Sequence, residues 1–199
     1  RVALVTGSYH TRLDGVALTL NRLARTALLA NHSVLVLAPS DAKAAPVLTH
    51  AARLHRVPSV PLPLWSEYRL TWGLGRAAAA ALAAFRPTVV HVAVPDALGH
   101  AAVRWARRKG IPVICSHHTR WSAYLSYYRL GIMERPLWWT LSRFLQRCDV
   151  TLAPSAATLH ELEAHGVPRL ALWPRGVDRC LFHPSRVSSA WRADIARAT

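Results

Sequence analysis

Acidic residues, cysteine and lysine are all scarce in this sequence, and each shortage narrows what the chain can be. Only 10 of 199 residues are Asp or Glu against 25 Lys or Arg, a formal net charge of +15. Such a surface attracts polyanions: nucleic acid, acidic lipid headgroups or phosphorylated sugars. All the basic residues except Lys43 and Lys109 are Arg, a pattern that nucleotide-composition bias also produces. They are scattered through helical stretches with no base-reading motif, which argues against nucleic acid as partner. Cysteine is confined to Cys115, Cys148 and Cys180; an odd, widely spaced set excludes a disulfide framework and a C-x-x-C metal knuckle and reads as reduced structural thiols. Arg, His or Asp interrupts every apolar run well short of the roughly 20 residues that cross a bilayer, so the chain reads as soluble. Arg1 leads straight into the strand-like Val2–Thr6 with no targeting pattern ahead of it, which leaves cytoplasm and plastid both open as compartments.

What is present is an alternation of short apolar runs and longer helix-like stretches. The spacing predicts strands over Val2–Thr6, Ser33–Leu37, Arg53–Val57, Thr88–Val92, Val113–His117, Val150–Ala153 and Arg169–Trp173. Most are apolar throughout, as strands covered on both faces must be. Helices are predicted over Val16–Ala30, Gly73–Phe85, Asp96–Lys109, Arg135–Arg147 and Ala156–His165, with Asp96 and Ser155 as N-caps. Phe85-Arg86-Pro87, Lys109-Gly110-Ile111-Pro112 and His165-Gly166-Val167-Pro168 each end a helix and start a strand. The β-α alternation forces crossovers, hence an α/β class, doubly wound and mostly parallel, with strand 1 central. The stretch Arg56–Trp72, holding Pro58, Pro61 and Pro63, is expected to be a surface loop.

In such sheets ligands bind beyond the carboxyl ends of the strands, so chemistry is sought in the loops that follow them. After strand 1, Asp14-Gly15-Val16 opens a helix where a glycine lets backbone N–H groups approach an anion. Taken alone, it reads first as an Asp-Gly turn capping a helix. The loop after strand 5, Ser116-His117-His118-Thr119-Arg120-Trp121-Ser122-Ala123-Tyr124, gathers groups that grip hydroxyls and phosphates. Adjacent His side chains point to opposite sides of a strand, so they make poor partners for one metal ion. After the last strand, Arg175 and Asp178 flank Gly176; an Arg there suits a diphosphate, and a tight turn leaving the domain is the other reading.

Together these segments resemble glycosyltransferase family 4. Asp14-Gly15-Val16 looks like that family's glycine loop, and Val89-Val90-His91-Val92 with Pro95-Asp96 like its h-h-H strand and following loop. Ser116-His117-His118-Thr119 with Tyr124 is similar to its S-Y-H-T…Y segment, with His117 where Tyr is usual. Ala153-Pro154-Ser155 and Arg175-Gly176-Val177-Asp178…Phe182-His183-Pro184 match its P-S and G-V-D-x-x-x-F-x-P endings, the last being the most specific. Within the family the look is nearest to sulfoquinovosyltransferases and GDP-mannose-dependent mannosyltransferases.

The resemblance implies the N-terminal, Rossmann-like half of a two-domain GT-B enzyme. Residues 1–184 are then the acceptor-side domain, and 185–199 begin a linker toward a donor-binding domain that carries the family's E-x7-E region. It implies retaining transfer of a sugar from a UDP- or GDP-linked donor to a lipid or glycan acceptor, with no metal and no cofactor beyond that substrate. Residues 1–199 alone are expected to be inactive. The roles implied are catalytic for His118 and Arg175, donor-binding for Gly15, Asp14 and Asp178, and acceptor-binding for Thr119, Trp121, Tyr124 and Asp96. Arg107-Arg108-Lys109 with Arg143 and Arg147 suit contact with an anionic membrane. A noncatalytic membrane-binding module, such as a degenerate paralogue, and a doubly wound enzyme of other chemistry, such as a sugar-nucleotide epimerase, are the competing classes.

Overall fold

A computed structural model describes residues 1–7, 9, 15–40, 52–62, 65–118, 131–177, 179–180 and 182–198. In chain order the strands are β1 (Val2–Val5), β2 (Val34–Pro39), β3 (Arg53–Val57), β4 (Ser59–Leu62), β5 (Trp65–Thr71), β6 (Val89–Val92), β7 (Val113–Ser116), β8 (Val150–Ala153) and β9 (Leu170–Leu172). The helices of the described residues are α1 (Gly15–Leu29), α2 (Gly75–Phe85), α3 (Ala97–Arg108), α4 (Glu134–Leu145), α5 (Ala156–Ala164) and α6 (Ser189–Ala198).

Seven strands form one sheet in the order β3-β2-β1-β6-β7-β8-β9, every pair parallel. The alternation read from the sequence thus yields the expected doubly wound sheet. β1 lies inside it, one place from the middle strand β6, and the winding reverses between these two. Apolar runs are needed because both faces are covered: β2 is buried along its whole length. Ala3, Val5, Leu35 and Leu37 join one core with Leu82, Leu98, Phe144 and Leu162 from the helices. Leu4, Val34 and Val36, on the opposite face, pack with Leu20 and Ala24 of α1. Each such fully buried Leu or Phe contributes about 1.5–3 kcal/mol.

Caps fall where expected. The Asp96 carboxylate accepts from the Gly99 N–H at 2.7 Å, and the Ser155 hydroxyl accepts from the Thr158 N–H at 3.2 Å. Gly110 and Gly166 take positive φ of 64° and 70° after α3 and α5, and Arg86 does the same work after α2 at 51°. Cys115 and Cys148 are buried and Cys180 is exposed, and none of the three is in a disulfide.

The expectation of a loop over Arg56–Trp72 is wrong: β4 and β5 pair antiparallel as a two-stranded sheet. β4 is largely exposed, so it shows no apolar alternation, and Pro61 sits at a register shift where a missing N–H is tolerated. Arg69 fastens the ribbon by donating to the Ser59 hydroxyl at 2.9 Å and its carbonyl at 3.1 Å. Ser59 in turn donates to the Ser40 carbonyl at the end of β2.

Candidate functional site

Parallel strands leave a crevice outside their carboxyl ends where the winding reverses. Here that point lies between the loops after β1 and β6, and both approach closely. A Cβ on Gly7 would stand 3.2 Å from Val94 Cγ2 and 3.3 Å from Asp96 Oδ2. Asp96 therefore caps α3 with one oxygen and turns the other toward Gly7. Burial pushes its carboxyl above the usual range, against the pull of the Gly99 and Leu98 N–H groups.

The loop after β9 supplies the opposite wall by folding back. Four inter-strand spacings separate β9 from β1, about 19 Å, yet Arg175 reaches the start of α1. A Cβ on Gly15 would lie 2.9 Å from Arg175 Nη1. The other guanidinium nitrogen donates to the His118 carbonyl at 3.4 Å. Arg22 of α1 anchors the same loop by donating to the Gly176 carbonyl at 3.1 Å. Three residues expected to share a site, Gly15, His118 and Arg175, thus meet at the carboxyl ends. Asp14, Thr119, Trp121, Tyr124 and Asp178 lie outside the described residues.

Trp173 is the floor of this arrangement. Its ring stands edge-on to His118, with centroids 6.0 Å apart, and to His91 of β6 at 5.8 Å. The enclosed space, bordered by Thr19, His117, His118, Pro154, Trp173 and Arg175, is about 10 Å³, the volume of one water. His117 is buried and borders the same crevice as His118. Burial lowers its pKa while Glu161 opposes the shift. The sequence-level site omitted His91, Trp173 and Thr19. Trp173 had a local signal, an aromatic two residues before Arg175, whereas His91 inside an apolar strand reads as packing.

His91 also carries a pH-dependent contribution to stability. Its Nε2 shares a hydrogen bond of 2.8 Å with the Ser116 hydroxyl, and burial, then the neighbouring His118, pushes its pKa down to about 4. Between that value and the unfolded value near 6.5 the unfolded chain binds more protons than the folded one, so stability falls as pH falls through this window. The melting temperature should therefore drop from pH 6.5 toward 4, and His91→Gln should flatten part of that drop. His100 and His117, whose pKa values are also lowered, act in the same direction, and Asp96, whose pKa is raised, opposes them.

Comparison with known proteins places these features in context. Residues 13–179 match the family model described as Glycosyltransferase Family 4. A GDP-mannose-dependent alpha-mannosyltransferase of Mycolicibacterium smegmatis is 34% identical over 93% of this chain and 50% of its own length. A sulfoquinovosyl transferase of Arabidopsis thaliana is 30% identical over 74% of this chain and 29% of its own. An alpha-monoglucosyldiacylglycerol synthase of Streptococcus pneumoniae is 26% identical over 78% and 35%. The chain spans about half the length of the mannosyltransferases it matches.

Proposed function

The chain belongs to glycosyltransferase family 4, and from that premise we propose that it forms the acceptor-side half of a retaining enzyme that moves a sugar from a nucleoside diphosphate to a lipid. The carrying observation is the meeting of the α1 N-terminus at Gly15 with Arg175 and His118 beyond the carboxyl ends of the sheet. Positive groups fixed at that point suit the charge that grows on a departing diphosphate. Gly15 permits close backbone approach of the phosphates at a helix N-terminus, with Asp14 and Asp178 on the donor side. Arg175 stabilises the leaving group as the bond from the sugar's anomeric carbon breaks. His118 orients or polarises the reacting sugar while the acceptor oxygen bonds to the same face and its proton passes to the departing diphosphate oxygen. Thr119, Trp121, Tyr124 and Asp96 shape the acceptor pocket.

A crevice of about 10 Å³ is far below the several hundred cubic ångströms of a ligand pocket, so it takes at most a small part of the donor. Residues 1–184 make up this half, and 185–199 lead toward a donor-binding domain. Relatives whose names specify mannosyl, sulfoquinovosyl and glucosyldiacylglycerol chemistry support the donor class and favour a lipid acceptor. The test incubates the natural full-length protein with labelled GDP-mannose or UDP-sulfoquinovose and diacylglycerol vesicles, in the presence of a chelator. Label should enter the lipid fraction with the donor's anomeric configuration. Inverted product, or transfer abolished by the chelator, contradicts the reading.

A further inference from the structure

A second concave site lies at the other end of the sheet. α3 runs from the carboxyl end of β6 toward the amino end of β7, and its 12 residues set those two ends about 18 Å apart. Arg104, Arg107 and Arg108 sit on its last turns, and Arg147 follows α4 just before β8. With Val103 and Gln146 they line a cleft of about 430 Å³, within the range of ligand pockets. No carboxylate is among the lining residues. Asp149, two residues past Arg147, is turned onto the Val113 N–H at 2.7 Å.

The cleft is built rather than incidental. Arg107 donates to the Arg147 carbonyl at 2.9 Å, tying the two walls together, and Arg143 lies over the Trp139 ring at 4.4 Å beside them. Partial burial, and then Arg147 and Arg104, disfavour the charged form of half-buried His100. The carbonyl end of α3 opposes an anion with roughly half a charge, and four guanidinium groups outnumber it. Guanidinium forks match phosphate oxygens two at a time.

We infer that this four-arginine cleft is a phosphate-binding site separate from the crevice at the carboxyl ends, taking a diphosphate or phosphomonoester group from a lipid headgroup or a soluble compound. The test uses the natural full-length protein with two probes at about 0.15 M ionic strength, where diffuse surface attraction is screened beyond about 8 Å. The probes are inorganic pyrophosphate by calorimetry, and phosphatidylcholine vesicles with and without phosphatidic acid by sedimentation. Arg104→Gln/Arg108→Gln/Arg147→Gln keeps Arg107, the residue that holds the walls. Arg25→Gln/Arg76→Gln/Arg192→Gln removes the same charge from exposed positions elsewhere.

The cleft variant should bind pyrophosphate at least about tenfold more weakly, a loss of about 1.4 kcal/mol, with unchanged melting and with the control within about twofold of the parent. Pyrophosphate binding at the transfer site is separated by repeating the titration in the Arg175→Gln background, which removes the guanidinium from the crevice at the carboxyl ends and in which the cleft's contribution should persist. If vesicle binding requires phosphatidic acid and falls in the same variant, the source is a lipid headgroup; if vesicles are ignored, it is a soluble phosphate. Equal losses in the two triple variants, or no binding of either probe by the parent, overturns the site.

Discussion

His118→Ala in the natural full-length enzyme should lower turnover by about 10²–10³-fold, the usual cost of losing one positioned group that acts on the transition state. The position follows β7 at its carboxyl end, its carbonyl accepts from Arg175, and its ring stands against Trp173. Removing the ring leaves the carbonyl and therefore the Arg175 contact in place. Its edge contact with Trp173 is worth only about 0.5–1.5 kcal/mol, so the melting temperature should fall by a few degrees at most. Turnover and melting measured on one preparation separate the roles. A stable protein with lost turnover supports a catalytic His118; a destabilised protein whose activity falls only with its folded fraction assigns it to packing.

Gly99→Ala should be the most damaging single methyl group that the described residues allow. Gly99 is in the first turn of α3, and an added Cβ would fall inside the contact distance of the Val94 carbonyl oxygen and 3.0 Å from Val92 Cγ1. The first neighbour is backbone, so no side chain can rotate aside. α3 would have to lift from β6, loosening Leu98, Ala102 and Val103 in the core and breaking the Asp96 cap. Overpacking of this kind costs about 1–3 kcal/mol, and a lost cap adds about 1 kcal/mol. Because Asp96 and Val94 also border the switch point, activity should fall beyond the folded fraction. Denaturant midpoints of Gly99→Ala and Asp96→Ala compared side by side test this: a Gly99→Ala midpoint no lower than that of Asp96→Ala contradicts a backbone clash.

Much of the sheet is legible in the sequence because its strands are buried on both faces, so β2 carries an unbroken apolar run and β6 one interrupted only by His91. The β4–β5 ribbon is not legible, because an exposed pair held by Arg69 and Ser59 leaves no periodic trace. At the site, strand-end position alone brings Gly15, His118 and Arg175 into consideration. Their actual meeting depends on the β9 loop folding back over several strands, a tertiary choice that no local pattern encodes. The same holds for the arginine cleft, whose walls at Arg107 and Arg147 are 40 residues apart. His91 is legible only as part of the h-h-H resemblance; from the residues alone, a histidine in an apolar strand looks like packing until its Ser116 and Trp173 neighbours are known.

Amide hydrogen exchange of the full-length protein, with and without saturating nucleoside diphosphate sugar, bears most directly on the donor crevice. Slowed exchange is expected at Gly15–Thr19 of α1, at His117 and His118, and across Arg175–Val177, all from loops that share one end of the sheet. Donor that binds while leaving these three segments unprotected, or that slows exchange only around Arg104–Arg108 and Arg147, contradicts a shared transfer site at the carboxyl ends.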